Sequence, residues 1–113
     1  MTNTKLVKKI EALDGPDREI DLLIMRHVMN IGGDPSGAEH YTSSVDAAIT
    51  LVPTGWRWQV GPFHTDPQKA RAQIAEPILT EFGFGIGIRS DGNAKTAPLA
   101  LCAAAIRARG HHD

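Results

Sequence analysis

Glycine occupies every second position of the run Phe82-Gly83-Phe84-Gly85-Ile86-Gly87-Ile88, and large apolar residues fill the positions between. Strand is the better reading of such a run. As a strand it has a period of two: Phe82, Phe84, Ile86 and Ile88 share one face, and the other face is bare backbone. Bare backbone is where a helix or a partner surface can lie very close. The run also lacks the charge or proline that normally blunts an exposed sheet edge. A partner chain, a second copy of this protein included, is therefore expected to cover it.

Trp56-Arg57-Trp58-Gln59-Val60 alternates in the same way. Trp56, Trp58 and Val60 are expected to face a core, with most of each tryptophan ring buried, and Arg57 and Gln59 to face away. Ala70 to Ile74 alternates too, and although its alanines suit a helical turn almost as well, strand is preferred. Turns are expected at Gly61-Pro62, Asp66-Pro67 and Asp91-Gly92-Asn93.

Helical spacing accounts for most of the rest. Leu6, Ile10 and Leu13 define a helix over 4–13, and Pro16 opens a second over 16–29, with Asp17 and Glu19 in its first turn and His27 on its apolar stripe. Ser43 or Ser44 caps a third over 44–52, and Thr96 caps an alanine-rich fourth over 97–108. The Asn30 to Tyr41 run, with three Gly and one Pro, shows no periodicity and reads as a loop. The expected fold is α+β, in the order ααα-βββ-α: a small antiparallel three-stranded sheet, strands at 56–60, 70–74 and 82–89, sandwiched by helices.

With 113 residues and one cysteine, the chain is expected to form one domain over 1–113 with a short polar tail at 109–113, and it needs no disulfide. The longest strongly apolar stretch, Pro98 to Ile106, is far short of the roughly 20 residues of a membrane span. With no apolar signal core at Met1 to Lys5, a cytoplasmic location is expected. Twelve Lys plus Arg against 13 Asp plus Glu, a net charge of −1, removes the electrostatic excess typical of nucleic-acid binders.

Three blocks, in this order, carry a resemblance: Gly-Pro-Asp-Arg-Glu-Ile-Asp at 15–21, Tyr-Thr-Ser-Ser-Val-Asp-Ala-Ala-Ile-Thr-Leu-Val-Pro-Thr-Gly-Trp at 41–56, and Thr-Ala-Pro-Leu-Ala-Leu-Cys-Ala-Ala-Ala-Ile-Arg-Ala at 96–108. The chain resembles the phage alpha-beta-alpha sandwich domain, a family of small bacteriophage and prophage proteins. That family tends to have Thr-Pro-Ala where this chain has Thr96-Ala97-Pro98. The resemblance implies helices on both faces of a small sheet and a phage or prophage origin, and it carries no assigned reaction. The Phe82 to Ile88 strand lies outside the shared pattern.

No chemical constellation emerges. His40, His64, Asp66, His111, His112 and Asp113 are metal-ligand types without metal-site spacing, so no metal is expected. Cys102 sits in an apolar helix that raises a thiol pKa, Ser43 and Ser44 lack a nucleophile elbow, and Gly83, Gly85 and Gly87 do not complete a phosphate-binding motif. No catalysis and no cofactor are expected. The reading is a phage accessory protein that binds a host or phage protein, in assembly, regulation or inhibition of a host defence protein. Its candidate contact residues are Phe82, Phe84, Ile86, Ile88, Arg89, His40 and Tyr41. The alternative is nucleic-acid binding through Lys5, Lys8 and Lys9 with Arg57, Arg71 and Arg89, aided by Trp56, Trp58 and Tyr41.

Overall fold

The computed structural model describes residues 3–29, 39–53, 55–63, 66–81 and 83–109, of which 29, 62, 63, 66–68, 80, 84, 86, 88 and 109 are described by backbone alone. Helices α1 (Asn3–Glu11), α2 (Arg18–Met29) and α3 (Val45–Ile49) precede strands β1 (Arg57–Phe63), β2 (Asp66–Thr80) and β3 (Gly83–Ala94), and α4 (Ala97–Arg109) closes the chain. The strands form one antiparallel sheet in the order β1-β2-β3. The fold is α+β, with the element order expected and helices packed on the sheet.

Helix α4 is the centre of the core. Every residue from Leu99 to Ile106, and Ala108, is buried, because the sheet lies on one side of the helix and α1 and α3 pack on others. A helix that is apolar all round is stable only when it is enclosed in this way. Its alanines let β3 approach closely: Ser90 Oγ donates to the Ala104 carbonyl at 2.8 Å, and Gly92 lies directly against the helix backbone. Leu6, Val7 and Ile10 of α1 and Ile20 and Ile24 of α2 complete the core, and Lys5, Lys8 and Lys9 remain exposed.

The three blocks that carry the resemblance meet in the structure. Asp17 caps α2, its carboxylate accepting from the amides of Glu19 (2.8 Å) and Ile20 (3.2 Å), so the helix starts at Arg18 and Pro16 stands outside it. Buried Asp21 accepts from the Thr42 amide at 2.8 Å and from Arg18 at 3.0 Å, and Thr42 Oγ1 accepts from the Asp17 amide at 2.8 Å. The Cys102 thiol donates to the Tyr41 carbonyl at 3.1 Å. These contacts join the start of α2, the approach to α3 and the middle of α4. Asn3 adds a further tie: its Nδ2 donates to the Ile106 carbonyl, and its Oδ1 lies 2.8 Å from His27 Nε2. Because an amide oxygen only accepts, that histidine nitrogen carries the proton.

The sheet departs from expectation in its lengths. Gly61-Pro62 and Asp66-Pro67 are strand, not turn: β1 runs on to Phe63 and β2 begins at Asp66. Proline is tolerated in β1 because β1 is an edge strand. Strand β2 extends to Thr80 through Pro77. The last β1 partner of β2 is Ala75, opposite Arg57, so at Pro77 there is no β1 residue to receive an amide hydrogen. Asp91-Gly92-Asn93 is strand as well, paired with Gln73, Ala72 and Arg71. Its outer edge is covered by an ion pair. Glu11 accepts from the Asn93 amide at 3.0 Å, Arg107 donates to the Asp91 carbonyl, and the two side chains meet at 3.1 Å. A carboxylate from α1 and a guanidinium from α4 thus stand in for a neighbouring strand.

Trp56 packs against the core, but Trp58 is 43% exposed. Trp58 pairs with Ile74 and so shares its face, yet α4 lies over β3 and β2 and barely reaches β1.

Candidate functional site

The sheet continues past its helix cover as a two-stranded arm. Among the residues whose side chains are described, the last buried one of β2 is Ile74 and the first buried one of β3 is Ser90. Beyond Ala75, β2 has only β3 beside it, through the pairs Pro77 with Ile86, Ile78 with Gly85, Leu79 with Phe84 and Thr80 with Gly83. Leu79 is 79% exposed, the most open large apolar side chain among the described residues. A two-stranded ribbon is marginal in water by itself, and this one is apolar in sequence apart from Glu76 and Thr80.

A bulge separates the arm from the covered sheet. Ala75 pairs with Arg89 and Pro77 with Ile86, so Glu76 stands against two residues, Gly87 and Ile88. The uninterrupted period of two expected from Phe82 to Ile88 is therefore broken at this point.

At the root of the arm, on the face opposite α4, the register sets residues in rows across the three strands. Arg57, Ala75 and Arg89 form one row, and Gln59, Gln73 and Asp91 the next. Alanine between two arginines leaves a hollow of about 240 Å³, lined by Arg57, Trp58, Gln59, Gln73, Ala75 and Arg89. Arg57, Gln59 and Arg89 are exposed. Arg71 is engaged by Asp91 at 3.4 Å, whereas Arg57 and Arg89 are in no ion pair among the described residues. Of the three arginines of this face, the two at the hollow are the ones outside an ion pair.

Of the residues expected to make contact, Arg89 is exposed at the hollow, Phe84, Ile86 and Ile88 are in the β3 segment of the arm, and Phe82 lies outside the described residues. His40 is exposed, but Tyr41 is fully buried in the core and is not a surface contact. Most of the 30–41 loop lies outside the described residues, as do His64 and the 110–113 tail. His40 borders an open groove of about 760 Å³ beside α3, where the hydroxyls of Ser43, Ser44 and Thr50 are already bonded locally to the His40 carbonyl, the Ala47 amide and the Ala47 carbonyl. The strand arginines do come together on one sheet face, but Lys5, Lys8 and Lys9 sit apart on α1, which packs on α4 and meets the sheet mainly at β3. The hollow was legible in part: the alternation of β1 placed Arg57 and Gln59 on its polar face. The partnership of Arg57 with Arg89 through Ala75 is a matter of register and has no local signal.

Cys102 is fully buried, and burial, reinforced by the Asp21 carboxylate, pushes its thiol far above the ordinary range. Among the described residues no three histidine, cysteine or acidic side chains are grouped to hold a metal ion, and no described helix is long and apolar enough to cross a membrane. No protein-family model, curated protein or solved structure matches the chain.

Proposed function

We propose that this is a non-catalytic binding protein, an accessory protein of a phage or prophage, which acts by docking its β2–β3 arm on a host or phage protein. The observation that carries this reading is the arm: an apolar two-stranded ribbon that leaves the helix-covered sheet at the bulge, with Leu79 open to solvent. Its two edges differ. The β2 edge carries Glu76 and Pro77, residues that discourage strand addition, and the β3 edge carries glycine and apolar residues from 83 to 88. A partner strand added to β3 would gain main-chain hydrogen bonds, and the apolar residues of the arm would supply specificity. The phage context rests on the resemblance of the three blocks at 15–21, 41–56 and 96–108.

The test is affinity capture with cross-linking. The wild-type protein is expected to capture a partner whose cross-links fall within 76–89, and Leu79→Glu and Ile86→Lys are each expected to abolish capture while keeping the wild-type circular dichroism spectrum. Capture that survives both substitutions, or cross-links that map to α1 or α2, would overturn the reading.

A further inference from the structure

Resting on the docking role of the arm, we infer that Arg57 and Arg89 form a clamp for carboxylates on an acidic segment of the protein partner. The two residues lie on the outer strands, opposite each other across Ala75, so their Cα atoms are about 10 Å apart, two strand spacings. The small methyl of Ala75 forms the floor of the hollow, and the two guanidinium groups, exposed and outside any ion pair among the described residues, flank it. Guanidinium forks suit carboxylates, which they bind with paired hydrogen bonds. Gln59 and Gln73, in the adjoining row, offer amide donors and acceptors to the backbone of such a segment. Arg89 is also the residue at which the arm begins, so the hollow adjoins the root of the arm.

The same features favour a short acidic peptide over a nucleic acid. A phosphate backbone is tracked by a line of cations. Here the next arginine in the sheet, Arg71, is neutralised by Asp91, which presents its own negative charge to the face. Tyr41 is buried, Trp58 borders the hollow but pairs with Ile74 and shares its face, Lys5, Lys8 and Lys9 belong to α1, and exposed Lys69 stands about 20 Å along β2 from Ala75. A hollow of about 240 Å³ matches one or two side chains and not a run of bases.

The probe is a fluorescein-labelled hexaglutamate peptide titrated into the full chain at low salt, with hexalysine and a labelled single-stranded oligonucleotide in parallel. Hexaglutamate is expected to bind, and hexalysine is not. Arg57→Glu and Arg89→Glu are each expected to weaken binding about tenfold or more, Arg57→Lys by less, and Lys8→Glu with Lys9→Glu to leave it unchanged. Hexaglutamate binding that is indifferent to Arg57→Glu and Arg89→Glu would overturn the clamp, as would tighter binding of the oligonucleotide through the same two arginines. A captured partner that is lost with Leu79→Glu but retained by the double arginine variant would remove the clamp and leave the docking role intact. Arm variants that keep the partner would remove the docking role itself.

Discussion

The two halves of the β2–β3 ribbon are built from the same kinds of residue and have opposite fates. From Ala70 to Ala75 against Arg89 to Ala94, small residues face α4, a helix backbone lies on Gly92, and Glu11 with Arg107 covers the outer edge. From 76 to 80 against 83 to 88, the same two strands run on without the third strand, and none of the side chains described there is buried. Glycine serves both halves, but for different reasons. At Gly92 a Cβ would lie 2.6 Å from the Ala104 amide nitrogen and closer still to the Ala100 carbonyl, so close helix approach requires its absence. At Gly87 a Cβ would meet only side-chain atoms, Ile78 Cγ2 at 3.0 Å and Glu76 Oε1 at 3.2 Å. Gly83 has φ of +114°, a backbone conformation that glycine tolerates at the turn and other residues rarely adopt. What separates the halves is what lies against them.

The largest expected effect tests that contrast directly. Gly92→Ala pushes a methyl into helix backbone that has nowhere to move, and a loss of about 3 to 5 kcal/mol is expected, enough to leave little folded protein. Gly87→Ala is expected to cost less than about 1 kcal/mol, because side chains give way. Equal melting temperatures for the two variants would erase the distinction. Next in size, Ile74→Ala in the covered half is expected to cost about 3 kcal/mol, and Leu79→Ala in the arm to stay within about 0.5 kcal/mol of wild type in denaturant titrations.

The edge ion pair gives a smaller effect with a local signature. Glu11→Ala is expected to cost about 1 kcal/mol, discounted because Arg107 is 41% exposed, and to speed hydrogen exchange at the Asn93 amide. Unchanged exchange there would show that the edge is covered by something else. Cys102 tests the core through pH. Its thiol is raised in the folded chain, so its contribution is fully present below the ordinary thiol value of 9.0 and is lost as pH rises beyond it. Above that pH the wild type is expected to lose up to about 1.4 kcal/mol per pH unit relative to Cys102→Ala, and thiol reagents are expected to react quickly only in denaturant. The smallest effect lies at the surface. Lys95, by hydrogen bond and by charge, holds the exposed Asp14 carboxyl below its ordinary value of 3.8. Any stability from this pair is present above that value and lost as pH falls through the lowered one. Lys95→Ala is expected to return the Asp14 titration, followed by NMR, toward the ordinary value with no measurable change in melting temperature.

Much of the architecture was legible because it rests on local periodicity and end chemistry. Ser44 caps α3 through the Ala47 amide, Thr96 caps α4 through the Leu99 amide, and the apolar positions of α1 are the ones buried. The alternation at Trp56 to Val60 and at Ala70 to Ile74 marked real strands, and the glycine-alternating run is part of a third. The differences have two origins. Proline and glycine at 61–62, 66–67 and 91–93 punctuate nothing, since each of these segments is strand, and the burial of Tyr41 and exposure of Trp58 depend on where α4 lies.

The order of elements, the strands themselves and the apolar helix at the centre follow from local pattern, because each is encoded in spacing along a few consecutive residues. Only the tertiary structure decided where the sheet stops being covered, that Pro77 meets no β1 neighbour, that Glu11 and Arg107 close an edge, and that Arg57 and Arg89 face one hollow across Ala75. These depend on register and on helix placement between residues as many as 96 positions apart, and no local pattern carries that information.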